Sequence, residues 1–263
     1  MLKYTRAAVM MTLILAVVFS AGIPGKAWSA NGGDANEQVL EVWRLLDAGE
    51  VDKALRLAEG IHGAQGDTRL VLTALLGFLY EKQGKNDEAL SRLDSVKPAL
   101  REALLESAKA GEAGEGEGES QRHRSYLRLY VDVLRTRGFM YYGEGNCGKS
   151  VPELQEMMGV VGVPNPLALS MIGSCMYRKK EYEEAREYFQ ESFRWYEAAA
   201  EKGEAAYNVA AMYAVRGMAG KSAEWLRIAS DTDGSRWLEA ASKDGDFEAV
   251  RKSEEFLKLT GRP

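Results

Sequence analysis

The chain has 263 residues, 46% of them apolar, with only six Pro, which is a core-forming composition and excludes a disordered chain. Two His (His62 and His123) and two Cys argue against multi-His metal catalysis and structural zinc modules. Setting aside the first 30 residues, which hold Lys3, Arg6 and Lys26 and no acid, leaves 31 basic against 39 acidic side chains, a poor balance for tracking the phosphates of a nucleic acid.

Residues 1–30 run in the order of a secretory signal peptide. Lys3 and Arg6 precede an apolar stretch from Ala7 to Phe19, and Gly22, Pro24, Gly25 and the small residues Ala27, Ser29 and Ala30 follow. The alternative is an uncleaved anchor, because Ala7 to Ile23 supplies 17 residues, the short edge of what spans a bilayer. The helix-breaking Pro24-Gly25 pair favours cleavage. Residues 31–35 read as a flexible lead. The expectation is export, most simply to a bacterial periplasm, with secretion or a signal anchor as alternatives and no membrane attachment besides such an anchor.

Internal repetition organises the rest. Five hexads share one character: GEVDKA from Gly49, GKNDEA from Gly84, GNCGKS from Gly145, KEYEEA from Lys180 and GMAGKS from Gly217, with starts 35, 61, 35 and 37 residues apart. Each ends in Ala or Ser, small enough for two helices to approach, and four open with Gly, which tolerates the left-handed turn that ends a helix. Apolar residues recur at helical spacing between them, as at Leu70, Leu72, Leu75, Leu76 and Leu79. Each hexad therefore reads as the turn of a helical hairpin.

Around the fourth hexad, Leu169, Ile172, Gly173 and Met176 precede, and Ala185 and Phe189 follow. The same grid catches Leu76, Gly77, Tyr80, Ala89 and Leu93, then Leu134, Gly138, Tyr141, Ser150 and Leu154, then Val209, Ala210, Tyr213, Ser222 and Leu226. These offsets resemble the tetratricopeptide (TPR) repeat from residue 36 to about 230. The resemblance implies an all-α, right-handed α-α superhelix of about five helix pairs, lined on a concave side by the first helix of each pair.

Two segments depart from the period. The 61-residue gap holds about 27 extra residues, and 98–124 reads as an inserted helical hairpin: a helix from Pro98 to Ala110, an acidic loop GEAGEGEGES over 111–120, and a basic, aromatic helix from Arg122. Overlong neighbouring helices would then rise about 20 Å, at 1.5 Å per residue. Beyond residue 230, Trp237, Leu238, an Asp244-Gly245-Asp246 turn, Phe247, Val250 and Phe256 read as C-terminal capping helices over 231–263, with Trp225 and Trp237 as packing anchors.

Three constellations bear on function. GEGNCGKS, Gly143 to Ser150, matches the nucleotide-binding pattern G-x4-G-K-S, but a phosphate cradle needs a buried strand before it, and none is evident. Cys147 and Cys175 fall at neighbouring ends of an antiparallel stack, and export makes a disulfide the expectation. The residues placed on the concave side are Phe78, Arg135, Phe139, Tyr142, Met171, Tyr177, Tyr207 and Asn208, aromatics with an Arg and an Asn of the kind that hold a peptide. The functional expectation is a non-catalytic scaffold or adaptor that grips a protein or peptide partner in its groove, with no cofactor, metal or nucleic acid. The alternatives are nucleotide binding at 143–150, or a homo-oligomer in which the groove or the hairpin receives a second copy.

Overall fold

The computed structural model describes residues 34–112 and 116–261. The signal-peptide reading of 1–30 and the first three residues of the lead lie outside the described residues, as do 113–115 at the insertion's tip. Among the described residues there is no strand. They fall into two compact units, 34–145 and 146–261.

In the first unit α1 (Asp34–Asp47) and α2 (Val51–Gly60) form one hairpin, and α3 (Gly66–Lys82) and α4 (Asn86–Glu112) the next. Helix α5 (Gly116–Gly143) lies along α4. Asp34 and Glu37 stand in the first turn of α1, where the helix dipole favours acids, so Asp34 and Ala35 are helical rather than part of a lead. The core runs through Val42, Ala54, Leu75, Leu79, Leu93, Leu100 and Leu134, all fully buried.

The insertion is a helical hairpin with longer uninterrupted arms than the sequence suggests. Pro98 begins no new helix; it lies inside the 27-residue α4. A proline frees the carbonyl four residues back. Here that residue is Asp94, and both it and Pro98 are on the exposed face, where a freed carbonyl is accessible to solvent. The expected acidic loop shrinks as well, since α4 continues to Glu112 and α5 begins at Gly116. Ties across the arms are Arg137 to Asp94 at 2.8 Å, Tyr141 donating to Asp94 at 3.3 Å, and Ser107 with His123 Nδ1 at 3.0 Å.

In the second unit α6 (Cys147–Val161) packs on α7 (Pro166–Arg178), α7 on α8 (Tyr182–Trp195), α8 on α9 (Ala199–Ala214) and α9 on α10 (Ala219–Asp233). A closing segment follows: α11 (Arg236–Lys243), a 3-10 turn at Gly245–Phe247, and α12 (Glu254–Thr260). Helices α11 and α12 pack on α10, and the 3-10 turn packs on α9. Trp225 stacks edge-on against Phe193 at 5.3 Å, so it anchors α10 to α8, whereas Trp237 belongs to the closing segment.

The five hexads are the joints of this array, and their two ends obey the steric argument residue by residue. Gly49, Gly84, Gly145 and Gly217 all have positive φ, between 69° and 75°. Their last residues, Ala54, Ala89, Ser150, Ala185 and Ser222, are all fully buried. At the helix crossings the grid positions leave no spare volume: a Cβ on Gly77 would lie 2.6 Å from Leu93 Cδ2, and one on Gly173 would lie 3.0 Å from the Phe189 ring. Close approach at these glycines lets the two helices of each hairpin pack without a gap.

Lys180 opens the fourth hexad where Gly stands in the others. It holds φ 64° and, among the described residues, is alone as a non-glycine at positive φ. The left-handed conformation costs an L-residue about 1–2 kcal/mol, part of which glycine's larger unfolded-state entropy cancels. Lys180→Gly is therefore expected to raise the unfolding free energy by about 0.5–1 kcal/mol. A urea midpoint at or below the wild-type value would contradict this.

Candidate functional site

The eight sequence-placed groove residues divide between the units, and their environments differ. In the first unit Phe78 is 7% exposed and belongs to the core, so it offers no contact surface. Arg135, Phe139 and Tyr142 lie three to four residues apart on α5, which puts them on one face, and all three are half-buried. Arg128 and Asp132 continue that stripe towards the hairpin.

Asp132 is the residue the sequence reading missed. It is 3% exposed, and Arg135 Nη2 stands 2.8 Å from its Oδ1 at an angle that makes an ion pair without a hydrogen bond. Burial pushes its carboxyl above the ordinary range, and the guanidinium groups of Arg135 and Arg128 act against that. A single Asp among helical apolar positions carries no sequence signal of burial. Only its spacing of three from Arg135 hinted at the pair.

In the second unit Met171 and Asn208 are half-buried, on α7 and α9. Tyr177 and Tyr207 do not await a ligand. Tyr177 donates its hydroxyl to Asp246 Oδ1, and Tyr207 donates to Asp244 Oδ2, each at 2.8 Å. Tyr207 is also 3% exposed, with its ring 5.0 Å from Trp237 and 5.3 Å from Phe247. The turn that supplies both carboxylates is built to hold them: Asp244 accepts from the Asp246 amide at 3.1 Å, and Arg251 donates to the Asp244 carbonyl at 2.6 Å. The closing segment thus covers the face of α7 and α9 that was expected to be open. The sequence shows the turn and the tyrosines, but 69 and 37 residues separate the bonded pairs, beyond the reach of local periodicity.

This contact has an electrostatic signature. Burial raises the carboxyl of Asp246, the Asp244 carboxylate adds to the rise, and the Tyr177 hydroxyl opposes it. The phenols of Tyr177 and Tyr207 are also pushed up, burial first and the neighbouring carboxylates next. Burial pushes Tyr196 up to about 12. A carboxyl whose folded pKa exceeds its unfolded value binds protons to the folded state first as pH falls. We expect the unfolding free energy to increase as pH drops from about 7 to about 5, the gain being complete only below the ordinary carboxyl values. Urea midpoints across that range check the sign, and a protein that loses stability on this descent would show that Asp246 and Asp132 ionise without penalty.

The nucleotide-type run does not form a phosphate cradle. Gly143 ends α5, Gly145 turns the chain, and Asn146 caps α6 by accepting from the Lys149 amide at 3.2 Å. The Ser150 amide is bonded to the Asn146 carbonyl, and the Ser150 side chain is fully buried. A helix, not a strand, leads into the turn, and the Lys149 and Ser150 amides are already bonded to Asn146.

Cys147 and Cys175 are brought together as expected. Their sulfurs are 2.11 Å apart and their Cα atoms 5.5 Å apart, joining the first residue of α6 to the later half of α7. Among the described residues there is no cluster of His, Cys, Asp and Glu able to hold a metal, and no helix is long and apolar enough to cross a membrane.

No protein-family model matches the chain, and no curated protein matches it. Among solved structures, the chain is similar to a crystal structure of the P58(IPK) TPR domain, with 18% identity, a TM-score of 0.40, and coverage of 86% of this chain and 73% of that one.

Proposed function

We propose that this chain is a non-catalytic scaffold that binds a protein or peptide partner, and that it works in an exported, oxidising compartment such as a bacterial periplasm. The observation that carries the reading is the α5 stripe of Arg135, Phe139 and Tyr142, where two half-buried aromatic rings and an ion-paired guanidinium share one face of a helix whose Val133, Leu134, Met140 and Tyr141 are buried. Aromatics and Arg dominate the energetics of protein recognition, because they bury large area with few rotatable bonds. The acidic balance of the chain points away from nucleic acid. The signal-like residues 1–30 and the Cys147–Cys175 bridge support export.

The partner-binding surface moves accordingly from Tyr177 and Tyr207, which hold the closing segment, to α5. The double substitution Phe139→Ala with Tyr142→Ala, which spares the Arg135–Asp132 pair, is expected to abolish co-purification of the partner from periplasmic extract while leaving the helical spectrum unchanged. Undiminished co-purification would sink the α5 assignment. Fractionation tests the compartment, and a chain found wholly in the cytosol would end that part of the reading.

A further inference from the structure

The Cys147–Cys175 pair is chemically lopsided. Cys175 is fully buried in the middle of α7's packing face, between Ser174 and Met176, both buried. Cys147 is half-exposed and sits in a turn whose neighbours Asn146, Gly148 and Lys149 are all exposed. It is also the first residue of the 15-residue α6, whose amide dipoles point towards it, and Arg178 Nη1 stands 4.0 Å from its sulfur. A helix N-terminus and an adjacent guanidinium both favour a thiolate over a thiol, whereas burial in apolar surroundings disfavours it.

From this asymmetry we infer that Cys147 is the site at which the chain exchanges with an external disulfide, and that Cys175 is the internal sulfur that completes the bond. In the reduced protein the Cys147 thiolate attacks one sulfur of an incoming disulfide, a small-molecule disulfide or that of an oxidoreductase. The new bond joins Cys147 Sγ to that sulfur, and the other sulfur leaves as a thiolate. Cys175 then gives its proton to the departing base and attacks Cys147 Sγ. That displaces the second external sulfur and forms the Cys147–Cys175 bond. Two protein thiols are oxidised and one external disulfide is reduced to two thiols, so atoms and electrons balance. In the reverse direction a reducing thiol reaches Cys147 alone, and the sulfur it must displace is the buried Cys175, a poor leaving group whose thiolate is disfavoured by its surroundings. The geometry therefore makes the first exchange at Cys147 fast and the reductive displacement of Cys175 slow.

The test uses glutathione and its disulfide on the intact chain. With glutathione disulfide, the Cys175→Ala variant is expected to form a mixed disulfide on Cys147 more than about tenfold faster than the Cys147→Ala variant does on Cys175. In denaturant the two rates should converge. Adding Arg178→Gln to Cys175→Ala should slow the native reaction severalfold, which a role limited to packing would not do. Equal native rates, or a faster Cys175, would overturn the inference. Should either variant fail to fold, partial reduction of the wild-type protein with glutathione followed by peptide mapping decides the matter. Glutathione on the peptide carrying Cys147 supports the assignment, and glutathione on the peptide carrying Cys175 refutes it.

Discussion

Truncating Phe247 to Ala is expected to cost the second unit about 3–5 kcal/mol, the range for removing a fully buried aromatic ring. Phe247 has no exposed surface, and its ring stands 5.3 Å from Tyr207 and 6.0 Å from Phe256, which is itself 2% exposed. The loss would exceed the ring's own contacts, because the same turn presents Asp244 to Tyr207 and Asp246 to Tyr177. If the turn lifts, Tyr207, 3% exposed, and the half-buried Tyr177 lose their carboxylate partners, and a buried hydroxyl left unsatisfied costs about 1–3 kcal/mol. The protein has a cheaper response, which is to release 236–261 as a whole and let water solvate those groups. The substitution should therefore appear as a lowered urea midpoint together with protease sensitivity near residue 234. Leu105→Ala, at a side chain 55% exposed on α4, is the control and should stay within about 0.5 kcal/mol of wild type. A Phe247→Ala protein with wild-type midpoint and intact closing segment would mean that the segment is not an integral part of this unit.

That dependence explains what the sequence reveals and what it hides. The joints are legible because their causes are local: a positive φ selects Gly at Gly49, Gly84, Gly145 and Gly217, and a helix crossing selects Ala or Ser five residues on. Even the exception is readable, since Lys180 occupies the joint's geometry without the residue that suits it. The α4–α5 hairpin is half legible. Its length follows from the broken period, but glycine content and Pro98 both argue locally for interruption, and packing along the partner arm overrides them. The groove residues are where the reading fails. Periodicity places Tyr177 and Tyr207 on the correct face of their helices, yet whether a face is open depends on what the chain does dozens of residues later. The nearness of Cys147 and Cys175 is legible for the opposite reason, because two repeat positions at neighbouring ends of an antiparallel stack fix a distance that no local signal states.

Breaking that disulfide is the second large effect. The bond closes a ring of 29 residues, residues 147 to 175, and by the chain-entropy relation such a ring stabilises the folded state by about 3–4 kcal/mol. Folded domains retain only about 5–15 kcal/mol in total, so the bond supplies a substantial fraction of what holds α6 in place. The mechanical reason is visible at both ends of α6. Its C-terminal end is pinned by Gly162 in the left-handed conformation, with the Gly162 amide bonded to the Met158 carbonyl at 2.9 Å, and Asn165 caps the helix that follows. Its N-terminal end is held to α7 by the sulfur bridge. Removing the bridge leaves that end of α6 held to α7 by helix packing alone. We expect the Cys147→Ala, Cys175→Ala double variant to melt at least about 10 °C below the oxidised protein. The native, unreduced protein should take up no alkylating reagent, and the reduced and unfolded chain should take up two equivalents. Two freely reactive thiols in protein isolated from an oxidising compartment would contradict the bridge, and an unchanged melting temperature would show that helix packing alone fixes α6. If both expectations hold, the same sequence is markedly less stable wherever thiols are kept reduced, and the compartment in which it finishes folding becomes part of what determines its structure.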